Sequence, residues 1–125
     1  MKIYLCGGFG DWQDIVATEV RRLRPDADVF DPSQHKLHDP KFYTQQDLAN
    51  LLDCDIVIAY MQVTNPGYAN LAFELGFAYA HGKKILLVNE KGQRFAEMMH
   101  QVADNFGDLA GVLAALPLIE EFRRE

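Results

Sequence analysis

Apolar residues along this chain gather into short continuous runs separated by amphipathic segments, the pattern of buried strands alternating with helices. "KIYLC" (2–6) predicts a strand. The turn "GGFGD" follows, then a helix from about Asp11 to Arg24 with Ile15, Val16, Val20 and Leu23 as its buried stripe. "ADVFD" (27–31) predicts a second, shorter strand ended by Pro32, and a polar loop leads to a helix from about Phe42 to Asp53. "DIVIAYM" (55–61) reads as a central parallel strand covered on both faces. "TNPG" turns into a helix through "NLAFELGFAYAHGK" (70–83), where Phe73, Leu75, Phe77, Ala78 and Tyr79 predict burial on most sides. Gly82 is its expected C′ residue. "KILLV" (84–88) is the fourth strand; a helix near 92–99, a short strand near 100–104 and a helix from about Gly107 complete the chain. The alternation predicts one domain, residues 1–125, of the α/β class. Its architecture is a doubly wound, five-stranded parallel sheet of flavodoxin-like or Rossmann-like order, a three-layer sandwich.

One residue does not fit the apolar helix. Glu74 lies among its hydrophobic positions, where burying a carboxylate costs several kcal/mol unless it is paired. By itself it reads either as a glutamate that reaches out to solvent or as a functional carboxylate in a partly dry cleft.

Composition narrows the partners. A formal net charge of −6, with basic clusters only at "RRLR" (21–24) and "FRRE" (122–125), argues against nucleic acid. The opening apolar stretch is too short for a signal peptide, and no run reaches the roughly 20 apolar residues of a membrane span. Cys6 and Cys54 sit in strand-like contexts without CxxC spacing and read as small core residues in a reducing cytoplasm. The four histidines, His35, His38, His81 and His100, lack metal-ligand spacing and read as surface or loop residues. "GGFG" lacks GxGxxG spacing, there is no GxxxxGK[ST], and the single serine, Ser33, has no nucleophile elbow.

Ligands in such a sheet bind beyond the carboxyl ends of the strands. That rule gathers Gly7, Gly8, Phe9, Gly10, Asp11 and Trp12, then Asp31 to His35, then Gln62, Thr64, Asn65 and Pro66 with the start of the Glu74 helix. Paired carboxylates are the remaining chemical possibility. Asp47 lies on the helix before the third strand and Glu74 on the helix after it, whereas Asp53 and Asp55 fall at the opposite end.

The ordered combination "KIYLCGGF … QQDLANLLDCDIVIAYM … NPGYANLAFELGFAYAHGKKILLV" resembles the nucleoside 2-deoxyribosyltransferases and their relatives, the 2′-deoxynucleoside 5′-phosphate N-hydrolases. The resemblance runs from Lys2 to the last helix and is most specific at "ELGFAYAHGK". It implies that Glu74 attacks C1′ of a 2′-deoxynucleoside, expels the base and forms a glycosyl-enzyme ester that a second base captures. It implies that Tyr4 orients the nucleophile and that Asp47 contacts the substrate and assists the leaving base. Gly7, Phe9, Asp11, Trp12 and Gln34 become candidate substrate contacts, and Met98 lines up with a methionine that reaches a neighbouring subunit's site. Many transferases carry an aspartate six residues before the glutamate; here that position is Tyr68, with Asn65 or Asn70 as candidates for part of its work. The implied partners are deoxynucleosides and free nucleobases, with no metal or organic cofactor, in at least a homodimer serving cytoplasmic nucleoside salvage. A deoxynucleotide N-glycosidase is the nearest alternative, and a non-catalytic nucleotide-binding module a third. From the residues alone, Tyr4 also reads as a core aromatic, Met98 as core packing and Asp47 as an exposed helix acid.

Overall fold

The computed structural model describes residues 1–62, 68–90 and 96–118. In chain order the elements are β1 (Lys2–Gly7), α1 (Trp12–Leu23), β2 (Asp28–Phe30), a 3₁₀ turn (Pro32–Gln34), α2 (Pro40–Asp53) and β3 (Ile56–Met61). Then come α3 (Tyr68–Ala80), β4 (Lys84–Asn89), α4 (Glu97–Gln101), β5 (Asp104–Phe106) and α5 (Leu109–Ala115). All strand pairs are parallel, in the order β2-β1-β3-β4-β5. This is the expected flavodoxin-like order, with the chain reversing direction across the sheet between β1 and β3.

The period-2 alternation of the central strands divides the core in two. Ile3 and Leu5 of β1, Ile56, Ile58 and Tyr60 of β3, and Leu86 and Val88 of β4 face α1 and α5, packing with Trp12, Val16, Val20, Val112 and Leu116. Tyr4, Cys6, Val57, Ala59, Met61, Ile85 and Leu87 face the other way, against Leu51 of α2 and Leu71, Leu75 and Ala78 of α3. Helices on both faces explain why β3 is buried at every position. Truncating one of these fully buried leucines to alanine costs about 2–5 kcal/mol.

Local signals set the helix ends. α2 starts at Pro40, two residues earlier than expected, because the Asp39 side chain accepts from Lys41 N–H at 2.9 Å and Pro40 occupies the first helical position. α3 stops in a Schellman arrangement: Gly82 N–H donates to the Tyr79 carbonyl and Lys83 N–H to that of Ala78, with Gly82 at φ +76°.

Three expectations shift. The last strand is 104–106, not 100–104; residues 97–101 continue as helix, and the Asn105 amide donates to the His100 and Ala103 carbonyls, closing the turn between them. The expected helix at 92–99 falls partly outside the described residues. The buried stripe of α1 is Trp12, Gln13, Val16, Ala17 and Val20, while Ile15 is exposed. Finally, α3 is not buried on most sides: Phe73 and Tyr79 are 60% and 50% exposed, and Phe42, Leu52 and Met98 are likewise exposed on α2 and α4. No helix among the described residues is long and apolar enough to cross a membrane.

Candidate active site

Strand alternation decides where chemistry can sit. It turns Tyr4 and Cys6 of β1 toward α2 and α3. The Tyr4 ring is wholly buried and stacked on Phe30, with centroids 5.5 Å apart, so its hydroxyl has one fixed direction. On α3, Leu71, Glu74, Leu75 and Ala78 recur at i, i+3, i+4 and i+7, one stripe of a helix, and the three apolar members are buried against the sheet. Glu74 is therefore carried inward by its neighbours. The Tyr4 hydroxyl donates to its Oε2, and the Cys6 thiol on the same strand face favours the ionised form of the same carboxylate.

Above this pair lies a cleft of about 520 Å³. Gly7, Gly8 and Phe9 form one wall, Pro32, Ser33, His35, Lys36, Leu37 and His38 another, and Tyr43, Asp47, Asn70, Leu71 and Glu74 the helical side. Asp47 and Glu74 thus come together across α2 and α3. Asp47 Oδ1 lies 3.0 Å from His35 Nε2, both side chains largely buried.

Burial pushes Glu74 up to about 7; the Tyr4 hydrogen bond opposes the shift, the Asp47 charge adds to it, and the Cys6 hydrogen bond opposes it. Asp47 is also raised by burial, against the opposing effect of His35. Burial, followed by the Glu74 charge, raises both the Tyr4 hydroxyl and the Cys6 thiol, so both are held as neutral donors. A carboxylate poised near neutrality, with the Tyr4 hydroxyl donating to it and a second acid across the cleft, suits nucleophilic attack coupled to proton transfer.

Of the other residues singled out in the sequence, Gly7 and Phe9 line the cleft, Phe9 as a 65%-exposed lip, and so does Asn70. Trp12 does not. It is 2% exposed in the core on the opposite face of the sheet, its indole donating to the Gly8 carbonyl and its ring edge-on to Tyr60. Asp11 and Gln34 are exposed and outside the cleft lining; Gln34 donates to Ser33 Oγ at 3.4 Å. Met98 is 86% exposed on α4 rather than packed in the core. Asn65 lies outside the described residues, and Tyr68 is the first residue of α3. Sequence reasoning missed His35, read as a surface or loop histidine, and the contact of Cys6 with Glu74. The strand-end rule places His35 on the ligand edge, but nothing in the local sequence marks its partner or that of Cys6, which lie 12 and 68 residues away in the chain. Among the described residues no three His, Cys, Asp or Glu side chains are grouped to hold a metal ion.

A model of the nucleoside 2-deoxyribosyltransferase family matches residues 3–112. The chain belongs to this family. Among solved structures, a 2-deoxyribosyltransferase from Bacillus psychrosaccharolyticus superposes with a TM-score of 0.76 at 23% identity, over 100% of this chain and 99% of that one. A Clostridium botulinum CMP N-glycosidase gives 0.63 at 22% identity over 93% and 98% of the two chains. A Leishmania mexicana 2-deoxyribosyltransferase gives 0.58 at 24% identity over 78% and 69%. At these identities the likeness is one of fold. No curated protein matches the chain. This nucleoside 2-deoxyribosyltransferase family member thus shares its architecture with both transferases and an N-glycosidase.

The raised Glu74 makes a prediction about stability. Its ordinary value is 4.5, so between about pH 4.5 and 7 the folded protein holds a proton that the unfolded chain has released. Stability from this group therefore falls as pH rises through that window, and the full penalty is present above 7. Glu74→Gln removes the charge but keeps an acceptor for Tyr4. It should stabilise the fold at pH 8 by roughly 1–3 kcal/mol, and not at pH 4.5. Urea denaturation at both values checks this, and an equal gain at the two would rule out the buried charge as its source.

Proposed function

We propose that this protein exchanges the bases of 2′-deoxynucleosides through a covalent intermediate on Glu74. The supporting observation is the Tyr4–Glu74 hydrogen bond with Asp47 on the same cleft. The ionised Glu74 oxygen bonds to C1′ as the N-glycosidic electron pair departs with the base, and a proton on Asp47 passes to a base nitrogen. The products are a neutral glycosyl ester, an ionised Asp47 and a neutral base. A second base runs these steps backwards, so configuration at C1′ is retained. A 2-deoxy sugar fits because no 2-hydroxyl withdraws electrons from the oxocarbenium-like transition state. Pro32, Leu37 and Leu71 give the cleft an apolar lining, which disfavours water as the acceptor.

Incubation with thymidine and adenine should yield deoxyadenosine and thymine by chromatography. Glu74→Ala should abolish the exchange. Asp47→Ala should lower the rate about 10²-fold, as for other general acids. Tyr4→Phe should cost less, since one hydrogen bond contributes on the order of 1 kcal/mol. Undiminished turnover by Glu74→Ala would end this reading.

A second reading, an N-glycosidase acting on deoxynucleoside 5′-monophosphates, draws support from Lys36 and His38 in the cleft wall, where a phosphate could find a cation. Asp11, a candidate substrate contact from the sequence, stands outside the cleft, so its charge does not oppose a phosphate there. The β1–α1 segment on the cleft is still Gly7, Gly8 and Phe9, with no cationic side chain. Free deoxynucleosides are therefore the expected substrates, with transfer faster than hydrolysis. A higher kcat/KM for the 5′-monophosphate of deoxyadenosine than for deoxyadenosine would favour the hydrolytic reading.

The exposed apolar side chains of α2, α3 and α4, including Phe73, Tyr79 and Met98, support assembly into at least a homodimer through this layer. Light scattering at micromolar concentration should give twice the chain mass or more; a fully active monomer would remove this part of the proposal.

A further inference from the structure

The strand-2 loop carries one side chain whose two nitrogens are both engaged. His35 Nδ1 accepts a hydrogen bond from Leu37 N–H at 3.0 Å, and Nε2 lies 3.0 Å from Asp47 Oδ1. A nitrogen that accepts from a backbone N–H must keep its lone pair, so the ring proton is on Nε2. Nε2–H is then the donor and Asp47 Oδ1 the acceptor. The same bond bends the chain: Lys36, between the ring and its backbone partner, has φ +56°. The loop is thus folded around the ring in the tautomer that serves Asp47.

We infer that His35 is a positioning residue that reserves Asp47 Oδ1 as an acceptor, so that the acidic proton of Asp47 is confined to Oδ2 and delivered from there to the leaving base. This deepens the proposed function and rests on its assignment of Asp47 as the acid. His35 cannot itself supply that proton. Giving up Nε2–H while Nδ1 is unprotonated would leave an imidazolate, so the ring directs the proton without carrying it. In the step, the C1′–N bond breaks with its electrons going to the base, the Oδ2–H proton goes to the base nitrogen, and Glu74 closes the ester. Asp47 is left as a carboxylate that still accepts from Nε2–H, which is the form needed to take a proton from the incoming base.

Two substitutions separate the ring's two bonds. His35→Asn places an amide oxygen near Nδ1 and keeps an acceptor for Leu37, but has no donor that reaches Asp47. His35→Gln places an amide nitrogen near Nε2 and keeps that donor. The two probes are deoxyadenosine, whose base needs a proton to leave, and 7-methyl-2′-deoxyguanosine, whose cationic base departs as a neutral molecule. His35→Asn should lower kcat on deoxyadenosine by about 10²-fold, as a misplaced reacting group does, with a much smaller loss on the methylated nucleoside. His35→Gln should recover a large part of the deoxyadenosine rate. Nitrogen-15 NMR of the wild-type protein should show His35 protonated at Nε2 and bare at Nδ1. An Nδ1-protonated ring, equal losses on the two nucleosides, or a His35→Asn variant faster than His35→Gln would each overturn the inference. If the wild-type protein transfers neither nucleoside, the deoxyribosyl reading fails, and the NMR result alone decides whether His35 holds Asp47.

Discussion

The hydrogen bond from Tyr4 to Glu74 is the constraint around which this molecule is arranged. A carboxylate on the inward stripe of a helix is costly, and Tyr4 and Cys6 offset only part of the cost, which is why Glu74 stays raised to about 7. The pair can persist because each partner belongs to an element that cannot yield. Tyr4 lies on a strand hydrogen-bonded on both sides, to β2 and to β3. Glu74 is flanked by Leu71, Leu75 and Ala78, which hold α3 against the sheet, and the Schellman turn fixes where that helix ends. Shifting α3 by one residue would rotate the carboxylate about 100° away from the hydroxyl.

The parallel sheet assigns the two faces different work. The face toward α2 and α3 carries Tyr4, Cys6, Glu74 and Asp47; the face toward α1 carries the groups that shape the β1–α1 loop. Trp12 and Gln13 both donate to the Gly8 carbonyl, and Gln13 accepts from Gly10 N–H. Gly7 lets the chain pass between the two layers. Its φ is +141°, and a Cβ there would stand 2.6 Å from the Tyr60 carbonyl oxygen and 3.3 Å from the Trp12 ring. The cleft wall at Gly7, Gly8 and Phe9 is therefore set from behind, by residues a ligand in the cleft does not meet.

The strand order was legible because four of the five strands are marked by apolar runs and the helices between them leave little choice of topology. Glu74 was legible because a charge in an apolar stripe is a local contradiction. Other features were not. A tryptophan after a glycine loop reads equally well as a ligand platform or as core, and only the tertiary structure, with the indole donating to the Gly8 carbonyl, puts Trp12 behind the sheet. Phe73 and Tyr79 are exposed despite their type, since apolar residues are inside only on average. His35 finds Asp47 across two elements, and no periodicity within either element records a contact between them.

The two carboxylates on one cleft pose a final question of balance. The Asp47 charge adds to the burial that raises Glu74, and Asp47 is itself raised by burial, so both hold protons more tightly than exposed carboxylates do. The proposed chemistry uses one arrangement of a single proton, with Glu74 ionised and Asp47 protonated. Both carboxylates have a donor, Glu74 from Tyr4 and Asp47 from His35, and Cys6 further favours the ionised Glu74. Burial does not select it, because it raises Glu74 as well as Asp47. In the proposed reaction a bound base would change the balance in the productive direction, since a ring nitrogen facing Asp47 would be an acceptor that stabilises the protonated acid there. On this view substrate does more than fill the cleft. In the proposed reaction it would move the proton to Asp47, which spends it on the base, and leave Glu74 with the charge needed to attack.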